Sequence, residues 1–254
     1  MIKDNGVQAN NEMPTWDAFA WAAFLYGSIG GDRKYQELMK REEFLHALRN
    51  KPETCDVEMI RAYLLKGYLN AWKTRVQNSD ASAAGIRNSI KTMQPLLSSL
   101  EGLSVTTVDF QGQLAGNGGV AITVSKAIEY CYEIMRKTGF HIGPTATAKI
   151  LHILNPQLFV MWDQPILAHF HEVDRSIKDS PEGYRTFLQR MKNVAVSVRD
   201  AFYENRAEPG ETPEEYLSHC MGYSPPKTMA KYLDEFFWVT VTNRVKVPPS
   251  WHPS

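Results

Sequence analysis

Thr138-Gly139-Phe140-His141-Ile142-Gly143-Pro144 runs into Thr145-Ala146-Thr147-Ala148-Lys149-Ile150-Leu151, and a little later comes Phe159-Val160-Met161-Trp162-Asp163. Upstream, Val124, Ala127, Ile128, Cys131, Ile134 and Met135 recur three and four residues apart, which predicts one apolar face of a helix. Gly139 and Gly143 permit a tight turn and close approach of another molecule. Pro144 presets the first turn of a second helix, which ends at Asn155-Pro156. Leu158 to Trp162 is a short apolar link, and Asp163 stands where the next helix would begin. The unit is thus helix, hairpin, helix, link, acid. Unpaired N–H groups and the positive dipole end at the second helix's start suit a phosphate.

On either side of this unit the pattern stays helical. Trp16, Phe19, Ala20, Ala23, Phe24 and Tyr26 make the first helix apolar on nearly every face, hence buried; Met13-Pro14-Thr15 opens it and Gly27 to Gly31 closes it. A second segment spans about 34–48, and a third carries Val57, Ile60, Tyr63, Leu64, Tyr68 and Trp72 at helical spacing. Residues 78–84 read as a loop and 86–100 as a helix interrupted near Pro95. The five glycines between Gly102 and Gly119 mark a long irregular connection of the kind that often carries function. Phe187, Leu188, Met191, Val194, Val198 and Phe202 define a long amphipathic helix started by Ser180-Pro181. Thr212-Pro213-Glu214-Glu215 is a capping box. Met229, Tyr232, Leu233, Phe236 and Phe237 mark the last helix, and Val239 to Val247 reads as a short strand. The fold class expected is all-α.

Bulk properties set limits on function. The chain has 254 residues, 43% hydrophobic and 22% charged, an ordinary globular composition that rules out wholesale disorder. No apolar run approaches the ~18 residues of a membrane helix. No basic stretch followed by an apolar one opens the chain, so no signal peptide is expected and the location expected is cytoplasmic. The 28 basic residues balance the 28 acidic ones. That argues against a protein holding nucleic acid by broad positive charge, but not against one with a single phosphate-gripping element. Three distant cysteines argue against a disulfide framework and exclude a four-cysteine zinc or iron–sulfur site. His169 and His171 lie two apart, on different faces of a helix, which argues against a metal site; no cofactor is expected.

The stretch from Ile142 to Leu151, with Phe159 to Asp163, resembles the signature of the helix-hairpin-helix (HhH-GPD) DNA glycosylase superfamily. The resemblance covers roughly forty residues. In that family the hairpin closes with hydrophobic-Gly-x-Gly, small residues follow, and an acid comes about twenty residues after the second glycine. Here Gly143 and Asp163 are twenty positions apart, and Ala146 and Ala148 are the small residues. His141 replaces the first hairpin glycine, with Gly139 two residues earlier. The resemblance implies a two-lobed helical fold with a central cleft. Residues 1–12 would be a mobile tail, 13–56 plus 164–254 one lobe, and 57–163 the other, with the helix-hairpin-helix at about 123–154.

The activity implied is removal of a base from DNA. Asp163 would stabilise positive charge developing on the deoxyribose and orient the attacking water. Gly139, His141, Gly143, Thr145 and Lys149 would form the DNA-binding hairpin. The extruded base needs apolar or aromatic walls, for which Trp162, Trp21, Tyr26 and Trp72 are candidates. Bifunctional members carry a nucleophilic lysine where Thr145 stands, and threonine forms no Schiff base. The activity implied is therefore monofunctional, leaving an abasic site, with DNA as partner and neither membrane nor iron–sulfur cluster involved. A divergent member acting on modified bases in foreign DNA, such as glucosylated hydroxymethylcytosine in phage DNA, fits an antiviral role. A bulky target would call on the Gly102–Gly119 loop to line a roomy pocket. Two other readings stay open: a non-catalytic helix-hairpin-helix module that binds DNA, and an α-helical enzyme acting on free nucleosides. Asp163 as a plain helix cap, and the tryptophans as core, are the structural alternatives.

Overall fold

Helix α1 (Trp16–Ser28) begins where the Thr15 hydroxyl accepts the N–H of Ala18, and buries Trp16, Phe19, Ala20, Ala22, Ala23 and Tyr26. Its apolar surface on all sides is met from several directions, since α1 packs against two later helices at once. The computed structural model describes residues 13–114, 121–205 and 210–248. The expected tail, residues 1–12, lies outside them. Among the described residues the chain forms eleven α-helices and one two-stranded antiparallel ladder, so the all-α expectation holds for the class.

The segment read as one helix at 34–48 is two, α2 (Arg33–Met39) and α3 (Glu42–Asn50), separated at Arg41 by a non-helical backbone. The third segment starts as α4 (Val57–Met59), but the ladder then widens into a π-helical stretch, Ile60–Leu69, before a 3-10 turn, Asn70–Trp72. A π-helix of this length is rare, and such irregularities gather at functional sites. Helix α5 (Asp80–Ser99) starts earlier than expected, because the Ser79 hydroxyl caps it by accepting the N–H of Ser82. It also runs through Pro95 without ending there, and forgoes the one backbone bond that proline cannot donate. The small ladder pairs β1 (Gln113–Leu114) with β2 (Ile122–Thr123). The described part of the glycine-rich connection packs inward, with Val105 N–H donating to Gln157 and Lys192 to the Val108 carbonyl. Residues 115–119 of that connection lie outside the described residues.

Helices α6 (Val124–Arg136) and α7 (Pro144–Leu154) flank the hairpin at the expected places. After the non-helical link come α8 (Gln164–Val173), α9 (Pro181–Asn205), α10 (Pro213–Cys220) and α11 (Met229–Phe237). The capping box at Thr212 is formed in full. The expected strand at 239–247 is absent. Helix α11 continues instead into a second π-helical stretch, Trp238–Thr242, so its β-branched residues extend a helix already under way. One cluster of buried apolar side chains runs from Trp16 to Val239. Helices α2 and α3, expected to side with α1, pack against the Ile60–Leu69 stretch, α5 and α7. Among the described residues no helix is long and apolar enough to cross a membrane.

Two polar features tie distant parts together. His152 of α7 is fully buried; its Nδ1 lies 2.7 Å from the Phe159 carbonyl and its Nε2 3.1 Å from the Tyr35 hydroxyl. Burial drives the imidazole pKa down to about 3, so Nδ1–H donates to the carbonyl and Nε2 accepts from Tyr35. The unfolded chain binds this proton near pH 6.5 and the folded one does not. Stability therefore falls by about 1.4 kcal/mol per pH unit as pH drops below 6.5 towards 3. The stability difference between wild type and His152→Gln, read from urea unfolding at pH 4 to 7, should shrink at that rate; a constant difference would overturn the assignment.

The second feature is a buried ionic network. Asp32, just before α2, contacts Lys227 and lies 3.7 Å from Lys231. Lys227 reaches both Glu235 oxygens at 2.9 and 3.0 Å, and Lys231 reaches Asp234 at 2.9 Å and Glu235 at 3.2 Å. Burial pushes the Glu235 carboxyl up to about 7 against the pull of the two lysines.

Candidate functional site

Asp163 sits at the joint between the apolar link and α8. The link is immobilised from both sides: Tyr184 donates to the Val160 carbonyl at 2.8 Å, and the Trp162 indole donates to the Pro144 carbonyl at 3.2 Å. The second bond fastens the link to the start of the hairpin's second helix. At the N-cap of α8, Asp163 Oδ1 accepts the N–H of Ile166 at 2.9 Å. Its Oδ2 accepts the Thr242 hydroxyl at 2.8 Å, from the second π-helical stretch. The carboxylate is thus both cap and held group, half-buried, with each oxygen keeping an unused lone pair. Burial raises its pKa, while the Ile166 and Thr242 hydrogen bonds and the charge of Lys149 pull the other way.

The hairpin reading expects Lys149 on the outer, DNA-facing side. The structure puts it inside, only 7% exposed. Position 149 falls one and a half turns into α7, past the free helix start, on the face turned to the core. Its Nζ lies 4.7 Å from the centre of the Trp72 ring, 5.8 Å from that of Tyr68, and 3.9 Å from the Met161 sulfur. Burial lowers its pKa, and Asp234 and Asp163 oppose that. Tyr68 and Trp72 are supplied by the first π-helical stretch and the turn that ends it. Trp72 lies parallel to Tyr26, with ring centres 6.5 Å apart and planes 7° from each other. Lys231 Nζ is 4.6 Å from the Tyr26 ring, so the buried network begins directly behind this pair.

The other proposed wall residues part company. Trp162 is 1% exposed and enclosed by Tyr184, Phe187 and Tyr132, with ring centres 5.0, 5.0 and 6.0 Å away. Its ring serves the core, and its indole N–H serves the link. Trp21 is partly buried against the core.

The hairpin turn carries three consecutive left-handed residues, Gly139, Phe140 and His141. Phe140 is held by Gly85 of α5, where a Cβ would meet its ring at 2.8 Å. Arg136 donates to the Ile142 carbonyl and pairs with Asp179 at 3.0 Å, fixing the turn to the start of α9. His141 and Gly139 are exposed, and Thr145 is half-buried. Gly143 is extended, and a Cβ there would meet nothing within 4 Å. No contact within the chain requires glycine at 143, since the space on its Cβ side is open.

Several contributors escaped the sequence reading. Thr242 lies in the stretch read as a strand. Lys73 and Arg75 are exposed and both left-handed, a conformation uncommon for residues other than glycine. They follow Trp72 directly, and their loop is tied to the hairpin through Gln77 N–H to the Phe140 carbonyl at 3.3 Å. Beyond Asp163, a groove of about 930 Å³ is lined by Pro165, His169 and Glu172 of α8 and by Arg244 and Lys246. Among the described residues no group of His, Cys, Asp and Glu is arranged to hold a metal ion. No family model, curated protein or solved structure matches the chain.

Proposed function

We propose that this protein is a monofunctional DNA glycosylase of the helix-hairpin-helix type, which hydrolyses the N-glycosidic bond of a damaged or modified base and leaves an abasic site. The observation that carries the reading is Asp163. A half-buried carboxylate is fixed by two hydrogen bonds on a rigid link that is itself fastened to the hairpin's second helix. A carboxylate so held is placed to oppose positive charge developing at C1′ and to take a proton from the attacking water. The hairpin, with the open space at Gly143 and the exposed Lys73 and Arg75 nearby, supports a phosphate-gripping edge that needs little net charge. Thr145 offers no amine, which supports hydrolysis without strand cleavage.

The test is base release from a panel of DNAs containing uracil, 8-oxoguanine, alkylated purines, or hydroxymethylated and glucosylated cytosine. Strand breaks that appear only after alkali are the expected result. Breaks without alkali would overturn the monofunctional reading and turn attention to Lys149. No base release from any substrate, with DNA still bound, would favour a binding module instead.

A further inference from the structure

A buried amine without an anion beside it is costly, and natural proteins seldom keep one unless something else uses it. Among the described residues Lys149 makes no ion pair within 4 Å. Its one hydrogen-bond contact is a thioether 3.9 Å away, a weak acceptor. Beside it stands a second orphan: the indole Nε1 of Trp72 is buried and has no hydrogen-bond partner. Two unsatisfied donors therefore share one place, the amine lying over the ring that carries the other. Asp234 and Asp163 are within electrostatic reach of the amine, neither close enough to pair with it.

We propose that Lys149 and Trp72 Nε1 form an acceptor-binding subsite for the base being removed, and that the substrate class is a pyrimidine, whose O2 carbonyl adjoins the glycosidic nitrogen. This rests on the glycosylase reading above and deepens it. In the reaction the C1′–N1 bond breaks and its electron pair moves onto the base. The oxygen of water joins C1′, and the proton that water loses passes to Asp163. The base anion, its charge shared with O2, is held by the Lys149 ammonium and the indole N–H until it takes up a proton from solvent. The carboxylate thus serves the sugar and the amine serves the leaving group.

The experiment has two arms. In the first, free uracil, cytosine and 5-hydroxymethylcytosine, with adenine as control, are titrated into the full chain and followed by tryptophan emission. A pyrimidine should bind while adenine does not, and binding should be lost in Lys149→Met, which keeps the length of the side chain, and weakened in Trp72→Phe, which keeps an aromatic face. Absence of pyrimidine binding, or equal binding by all three proteins, would overturn the subsite. This arm needs no catalysis, so it stands even if the glycosylase reading fails.

The second arm measures single-turnover release of uracil and 5-fluorouracil from DNA. Lys149→Met should slow uracil release about a hundredfold and 5-fluorouracil release clearly less, because the more acidic base leaves with less help. Equal losses for both bases would mark Lys149 as merely structural and overturn the proposal. No uracil release by wild type would overturn the glycosylase reading for this base, and the subsite would then stand or fall on pyrimidine binding in the first arm.

Discussion

Replacing Asp163 by Asn is expected to slow base release by about a thousandfold or more while leaving the fold intact. Asparagine caps helices as well as aspartate does, and its side-chain oxygen can accept from Ile166 N–H or the Thr242 hydroxyl. What it loses is the negative charge. Unfolding free energies within about 1 kcal/mol of wild type, together with lost base release and retained DNA binding, are the result to look for; unchanged release would remove Asp163 from the chemistry. The pH dependence has a definite sign. Activity carried by the ionised carboxylate fails as pH falls through its pKa, which burial holds above the usual 3.8. Thr242→Val withdraws a bond that favours the charged form, so in that variant the acid limb should move to higher pH.

Lys231→Met should destabilise the protein by about 3–5 kcal/mol, a large fraction of the ~5–15 kcal/mol that holds a domain together. The loss comes from what stays behind. Asp32, Asp234 and Glu235 remain buried with only Lys227 close by. Urea unfolding of the variant measures the loss. Adding Glu235→Gln should restore part of it by removing one of the stranded charges, whereas a double variant no better than the single one would mean that the network is not coupled in this way. Glu235 sets the pH trend. Its folded pKa of about 7 exceeds the unfolded 4.5, so its contribution is fully present below pH 4.5 and is lost as pH rises towards 7. The Gln variant should lack that loss.

Most of the frame was legible because it is local. The hairpin helices begin and end where glycine, proline and apolar spacing place them, Asp163 caps α8, and Thr212 forms its box with Glu215. The errors arose where local pattern and tertiary context compete. Ala81 to Ala84 are small and read as loop, yet alanine is the best helix former and Ser79 supplies the cap. The β-branched run from Val239 reads as a strand in isolation, but it follows a helix whose ladder it simply continues. The widening of the Ile60–Leu69 helix leaves no trace in three- and four-residue spacing, and it is this stretch that presents Tyr68. The candidate site was half legible. Asp163, Tyr26 and Trp72 could be named, but that Lys149 turns inward and that Thr242 comes back over 79 residues to bind Asp163 are facts of packing.

The ionic network also imposes an order on synthesis. Asp32 leaves the ribosome 195 residues before Lys227 and 199 before Lys231. Until those lysines emerge, docking α1 and α2 would bury a carboxylate with no counter-charge. Helix α1, apolar on nearly every side, must therefore wait in an undocked state while about 200 further residues are made. During that interval Trp16, Phe19 and Tyr26 are an exposed sticky surface, the kind that chaperones recognise and that drives association between nascent chains. Helix α11, made long afterwards, is what completes α1.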